Sequence, residues 1–397
     1  MKKNLLLLFF VIIVSIFPRI WELNKYPPII VDEPAYLRDV ESMILNDNYY
    51  PANFQWDGSQ ATLVYLPTIL LLKTIMPNPI MALRSVSVIL SLLALIPLFF
   101  LVKNCTNDAI AFSSTIMFSY SYYFLQFSRV GWGVVFATAL GLYLLWVVNS
   151  IKDRRDFFKI VGAGIIAGLI LYTYRAGEVY IIACFILLCI KIFTINKSLI
   201  NSLPKILVFI IVFLLVSLPW IRKVNSDLKF FSLRQEVVSI NNVNTPYHGL
   251  TEKKDIMFYQ ITTSLKSWVL FLPARTTNPE NQRYLPSEST LINPILIPFF
   301  IIGVILALLS FKKHYVWFFI YIGGLVFGQM LTVDPPNGAR GLIMLPIIYL
   351  FSSLSLFYFY NKLEKYTLLR NLIPVGAFTI ALFDFFFYIN WMSWINV

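Results

Sequence analysis

The chain reads as a series of long apolar runs separated by short polar breaks. Runs long enough to cross a bilayer as helices, about 17 to 25 residues, occur near 4–21, 80–102, 109–127, 131–149, 158–174, 176–193, 204–221, 292–310, 314–332, 340–360 and 372–394. This pattern predicts an all-α polytopic membrane protein with about eleven transmembrane helices. A further apolar run, 61–76, is shorter, carries Pro67 and is followed by Pro77. Two long hydrophilic stretches interrupt the series, near 22–60 and 222–290. In the first, Asp32-Glu33-Pro34 predicts a helix start, since acids and proline favour a first helical turn, and the helix should run to about Met43. In the second, 255–272 is aromatic and apolar enough to predict an interfacial helix.

Composition supports the membrane class. Of 397 residues, 58% are apolar and 13% charged, against roughly a half and a quarter in soluble chains. With 35 Phe, 22 Tyr and 9 Trp the chain is too aromatic for disorder. The formal net charge is +12, but the basic residues form no stripe with stacking aromatics, so no nucleic-acid partner is expected.

The loop charges set the orientation. If 61–76 does not cross, the loops on one side carry a net charge of about +11 and everything else about +1, the asymmetry of the positive-inside rule. The N-terminus and the Lys-rich short loops are then cytoplasmic. Both long stretches fall on the outer, periplasmic face of a plasma (inner) membrane, and 61–76 lies on or dips into the outer leaflet. The first run follows Met1-Lys2-Lys3, lacks a small-x-small cleavage site and ends at Pro18-Arg19, which predicts an uncleaved first span. Three regions result: a seven-span module over 1–221, a large outer loop over 222–291 and a four-span region over 292–397.

Few residues carry candidate chemistry. Cys105, Cys184 and Cys189 imply no disulfide framework. His248 and His314 are far apart, and no metal site is predicted. The strongest local feature is the adjacent pair Asp32 and Glu33, about ten residues past the first span. It reads as an N-cap with a first-turn acid, and equally as a general base for an acceptor hydroxyl. A helix N-terminus would orient such a base and keep it ionised, so the two readings are compatible.

Arg84, Arg129, Arg175, Arg275, Arg283 and Arg340 are expected at or near the outer face. Planar guanidinium forks suit an anionic lipid head group; snorkelling, or pairing with Glu178 or Asp334, is the plainer role. Asn281-Gln282-Arg283-Tyr284-Leu285-Pro286 reads as a loop end or a ligand-contacting loop. Outer-side rings such as Trp56, Tyr172, Tyr174 and Trp268 could pack on a sugar or a polyprenyl tail, although most aromatic residues of such a chain face lipid.

The ordered set resembles the GT-C superfamily of polyprenyl-phosphate-sugar-dependent glycosyltransferases. Within it, the chain is most similar to relatives of the protein O-mannosyltransferases and lipid A aminoarabinose transferases, family 39-like enzymes. The resemblance rests on Asp32-Glu33, Ala82-Leu83-Arg84-Ser85, Phe127-Ser128-Arg129, Tyr172-Thr173-Tyr174, Arg283-Tyr284-Leu285-Pro286 and the proline-rich turn before Arg340. It implies an inverting transferase that moves a hexose or pentose from a polyprenyl phosphate to a lipid, glycan or protein acceptor. Asp32 would be the base and Glu33 its neighbour in the site. Arg129 and Arg340, joined by Arg175 and Arg283, would hold the donor phosphate. Tyr172, Tyr174, Tyr284 and Arg84 would contact sugar or lipid. The chain departs from the pattern after Arg129, where Val130-Gly131-Trp132-Gly133 carries no acid. No second catalytic acid is therefore implied there, and no cofactor or divalent metal is required. With no soluble domain after the last span, the outer loops or the bilayer are expected to present the acceptor. A transporter or flippase of lipid-linked saccharides, a polysaccharide polymerase or ligase, and a non-catalytic assembly subunit are the rival readings.

Overall fold

The computed structural model describes residues 2–30, 32–49, 64–153, 155–229, 232, 236, 238–273 and 289–394. Among these the chain is helical, and its only extended pairings are isolated bridges, Ser239 to Thr332 and Tyr247 to Leu250. The helices in chain order are α1 (Lys2–Ile20), α2 (Asp32–Leu45), α3 (Tyr65–Thr74), α4 (Pro79–Cys105), α5 (Asp108–Tyr120), α6 (Tyr122–Arg129), α7 (Val134–Asn149) and α8 (Phe157–Ile170). They continue as α9 (Glu178–Asn196), α10 (Leu199–Ser226), α11 (Lys253–Trp268), α12 (Leu296–Leu309), α13 (Phe311–Leu325), α14 (Leu345–Lys362) and α15 (Thr367–Trp394).

Each of the eleven predicted runs falls on one or more of these helices. Five helical stretches are long and apolar enough to cross a membrane singly: Pro79–Cys105, Arg175–Asn196, Ile200–Ser226, Gly338–Lys362 and Thr367–Met392. The bent pair α6–α7 makes a sixth if it counts as one span. Leu5–Ile20, Phe157–Ile170 and Leu296–Leu309 are apolar but shorter. The protein is a multi-pass membrane protein. The α3 helix has ten residues, about 15 Å, half the hydrocarbon thickness. At that length the described helix does not cross the hydrocarbon by itself.

Local chemistry starts the helices where the sequence places them. Asn78 caps α4, its side chain accepting from the Met81 N–H at 3.1 Å, with Pro79 at the first position. Asn107 does the same for α5 through Ile110 N–H at 3.0 Å.

One expectation needs correction. The run 109–127 is not one continuous helix. It breaks at Ser121, whose ψ of 123° leaves the helical range, and α6 then turns by 115° into α7. The reason lies in Ser119, Ser121, Gln126, Ser128 and Arg129, all fully buried. Such groups need protein partners, which lipid does not offer. The helix over 255–272 forms as α11, with Ile256, Gln260, Ser264, Ser267 and Trp268 buried against the bundle and the apolar side chains of Met257, Phe258, Ile261 and Leu265 exposed, the two-faced character expected of an interfacial helix. Its Trp268 ring sits against Gly341, where a Cβ would come within 2.0 Å of the indole.

The core centres on α5, α6 and α14. Phe118, Phe124 and Tyr349 pack there as an aromatic cluster, with centroids 4.1 Å and 5.4 Å apart. The α12 helix lies close on α14 because Gly303 lets the Phe351 carbonyl approach; a Cβ would meet that oxygen at 1.9 Å.

Candidate functional site

A cavity of about 420 Å³ opens where α9 begins, between the end of α13 and the turn that precedes α14. Arg175 and Arg340 both line it, together with Trp132, Tyr174 and Glu178. Its remaining wall includes Ile182, Phe327 and Leu331, each with an exposed apolar side chain. The volume lies within the range of small-molecule sites, and the lining pairs an apolar wall with a few polar groups, as such sites do.

Arg340 is placed with care. The α13 helix ends in one π-helical turn, Val326–Met330, a form common at functional sites. The fully buried Gln329 on this turn pairs with the Asn337 backbone: its Nε2 donates to Asn337 O at 2.9 Å and its Oε1 accepts from Asn337 N at 2.8 Å. Asn337 Oδ1 in turn accepts from Arg340 N at 3.0 Å. The guanidinium then donates to Val333 O at 3.1 Å. Across the cavity, Arg175 opens the 3-10 turn Arg175–Gly177 that leads into α9. Glu178 follows on the first turn of α9 and lies within the field of Arg175.

A loop pairing covers this region. Val333 N donates to Val238 O at 3.0 Å and Ile240 N to Leu331 O at 3.3 Å. Tyr247 anchors the same segment. Its hydroxyl donates to Asp334 Oδ1 at 3.1 Å and accepts from Gln260 Nε2 at 2.9 Å and Asp334 N at 2.8 Å. Burial, with the Asp334 charge opposing ionisation, holds this phenol above its ordinary value.

Asp32 is the first residue of α2 and is half-buried. Glu33 beside it is fully buried and saturated with donors. It takes Arg84 Nε and Nη2, both at 2.8 Å, Gly131 N at 3.0 Å and Ile30 N at 3.2 Å. Gly131 precedes Trp132, which lines the cavity, so the start of α2 is tied to the cavity wall through Glu33. The Trp132 ring meets Tyr174 edge-on at 5.8 Å and stacks on Phe127 at 5.9 Å.

The structure therefore divides the residues singled out from sequence. Arg175, Arg340 and Tyr174 converge on one cavity. Arg84 does not face a ligand: it is buried, clamps Glu33 and donates to Leu23 O at 2.7 Å. Arg129 is also buried. It donates to the carbonyls of Pro18, Trp21 (2.6 Å) and Tyr26 (2.8 Å), and its guanidinium lies 5.6 Å from the Tyr388 ring centre. It fixes the chain leaving α1 rather than a phosphate. Tyr172 is buried and donates to Val216 O at 2.8 Å in α10. Trp268 packs in the interior. Arg275, Arg283, Tyr284 and Trp56 lie outside the described residues. Sequence reasoning missed Trp132 and Gln329. A lone glutamine in an apolar run was the available signal for the second. Among the described residues, no group of three or more His, Cys, Asp or Glu side chains gathers to hold a metal.

No protein-family model and no curated protein matches the sequence. Solved structures do match. The oligosaccharyltransferase of Archaeoglobus fulgidus, tethered to an acceptor peptide, superposes with a TM-score of 0.57 and 16% identity, over 98% of this chain and 55% of its own. ArnT from Cupriavidus metallidurans bound to undecaprenyl phosphate gives 0.64 and 11%, over 98% of this chain and 76% of its own. Its apo form gives 0.62 and 10%. The chain thus spans about half the length of the oligosaccharyltransferase. At these identities the likeness establishes the fold alone, which this chain shares with these two proteins.

Proposed function

We propose that the protein is a membrane glycosyltransferase that moves a sugar from a polyprenyl phosphate to an acceptor hydroxyl, with inversion. The observation that carries this reading is the convergence of Arg175 and Arg340 on a cavity with an exposed apolar wall. A polyprenyl-linked phosphate is one molecule with both characters. ArnT, which shares the fold, binds undecaprenyl phosphate, and this supports the same donor class here.

Each side chain then has a task. Arg175 and Arg340 grip the phosphate through charge-assisted hydrogen bonds. Ile182, Phe327 and Leu331 lead the prenyl chain toward the hydrocarbon. Trp132 and Tyr174 bound the space for the sugar. The acceptor oxygen attacks the anomeric carbon from the face opposite the phosphate. As the new C–O bond forms, the bond from the anomeric carbon to the phosphate oxygen breaks. Its electron pair stays on the phosphate, where the two guanidinium groups stabilise the growing charge. Asp32 takes the acceptor proton. Glu33 is no second acid in this scheme: its carboxylate is already fully hydrogen-bonded and serves to place Asp32. The two guanidinium groups meet the phosphate's charge. The positive-inside charge distribution supports an outer-face location for this chemistry.

The experiment is to incubate the purified protein with polyprenyl-phosphate sugars and follow release of polyprenyl phosphate. Release that depends on an acceptor supports the reading. Binding of such lipids without release from any of them overturns it in favour of transport.

A further inference from the structure

One charged group on the cavity wall has no task in the transfer scheme. Among the described residues, Glu178 is the one acid that lines the cavity. The backbone around it is pinned. Gly177 packs on Ile170 and Ala137, where a Cβ would come within 2.8 Å and 3.1 Å of their side chains. Val179 lies against Gly323 of α13, and the Tyr180 hydroxyl donates to Ile343 O at 2.9 Å. Glu178 is thus held at the first turn of α9, half-buried, with packed neighbours on both sides. Its carboxylate differs from that of Glu33. Glu33 is saturated with donors, whereas Glu178 accepts no hydrogen bond from a described residue, and Arg175 reaches it only through its field.

An acid at a helix N-terminus beside an arginine has a plain role as a first-turn acid and counter-ion. Two observations point further. An ionised carboxylate only accepts hydrogen bonds, so one on a cavity wall with no protein donor suits a ligand that donates. A sugar does so through its hydroxyls; an ionised phosphodiester and a prenyl chain do not. The second observation is charge. Two guanidinium groups and one carboxylate give the lining a net charge of +1. A phosphodiester carries one negative charge, so an uncharged glycosyl donor and the cavity neutralise each other. An acid group on the sugar would add a second negative charge close to Glu178, where water is displaced and like charges repel strongly.

We propose that Glu178 selects the donor sugar: its carboxylate accepts hydrogen bonds from the sugar hydroxyls and rejects sugars that carry an acid group. The donor class is then a polyprenyl phosphate bearing an uncharged, hydroxyl-rich sugar. This inference rests on the reading of the cavity as the donor site.

The test is equilibrium binding of three lipids to the full-length protein in detergent at neutral pH. They are polyprenyl phosphate alone, polyprenyl phosphate carrying glucose, and polyprenyl phosphate carrying glucuronate, whose sugar differs from glucose only at C6. The wild type should bind the glucose lipid at least about ten-fold more tightly than the glucuronate lipid. Glu178→Gln, which keeps the shape and removes the charge, should shrink that preference at least several-fold and bind the bare lipid no more weakly than the wild type. Glu178→Ala should lose roughly ten-fold in affinity for the glucose lipid relative to the bare one. If Glu178→Ala does not fold, Glu178→Gln carries the test. An unchanged preference for glucose over glucuronate in Glu178→Gln overturns the proposal. So does an equal change for all three lipids, which would mark a role through Arg175 or the fold alone. A wild type with the expected preference that releases no polyprenyl phosphate from either donor would overturn the transferase reading and leave this inference standing. A wild type that binds none of the three overturns both.

Discussion

Glu33 and Arg84 form a two-pronged ion pair with no solvent exposure, both contacts at 2.8 Å. The pair joins the start of α2 to α4. Through Gly131 it also joins the turn between α6 and α7 that presents Trp132 to the cavity. Breaking a buried pair leaves an uncompensated charge. Glu33→Gln should therefore cost about 3–5 kcal/mol of stability, read by unfolding in detergent. A loss below about 1 kcal/mol, within the range of exposed pairs, would contradict this role.

Arginines of two kinds should separate experimentally. Arg175→Ala and Arg340→Ala should lower kcat/KM for the donor by about 10²–10³, with stability changed by about 1 kcal/mol or less. Arg129→Met should instead destabilise by about 3 kcal/mol, since carbonyls at the exit of α1 lose charged donors. Parallel measurements of donor kinetics and melting would reverse the assignment if Arg129→Met folded normally and lost only donor binding.

That division marks the limit of what the sequence tells. Apolar runs fix where helices lie because lipid and core reward the same residues, and all eleven runs fall on helices. Direction around a helix is harder to read. Arg84, Arg129 and Tyr172 sit in motifs that look like ligand contacts, yet each turns inward to satisfy a carboxylate or carbonyls. Arg175 and Arg340 look the same in sequence and line the cavity. The break at Ser121 was hidden because Phe and Tyr keep the run apolar on average, while the buried polar side chains that accompany it are interspersed.

Glycine packing gives a clean pair of variants. Gly303→Ala would drive a methyl group into the Phe351 carbonyl of α14, which should cost about 1–3 kcal/mol. Gly162→Ala in α8 meets nothing within 4 Å and should be neutral or stabilising by up to about 1 kcal/mol. Equal melting temperatures for the two variants would refute the close α12–α14 contact.

The loop before α8 should respond to acid. Asp156 accepts from Lys152 N (2.8 Å) and Asp153 N (3.1 Å) and pairs with Lys159 at 2.9 Å. These bonds hold its carboxyl down at about 2. A depressed carboxylate stabilises the fold above its unfolded value, near 4, and that contribution fades as pH falls through about 2. Asp156→Asn should melt earlier than wild type at pH 5–7, and the gap should close toward pH 2. A gap that is constant with pH would rule out the charge as its cause.

The most direct test concerns Asp32. The measurement is the rate of polyprenyl-phosphate release by Asp32→Asn, on protein shown to be folded and to bind donor as the wild type does. A general base contributes about 10²–10⁴ in rate, and a fall of that size with donor affinity unchanged is the predicted result. Release within a few-fold of wild type would contradict the account.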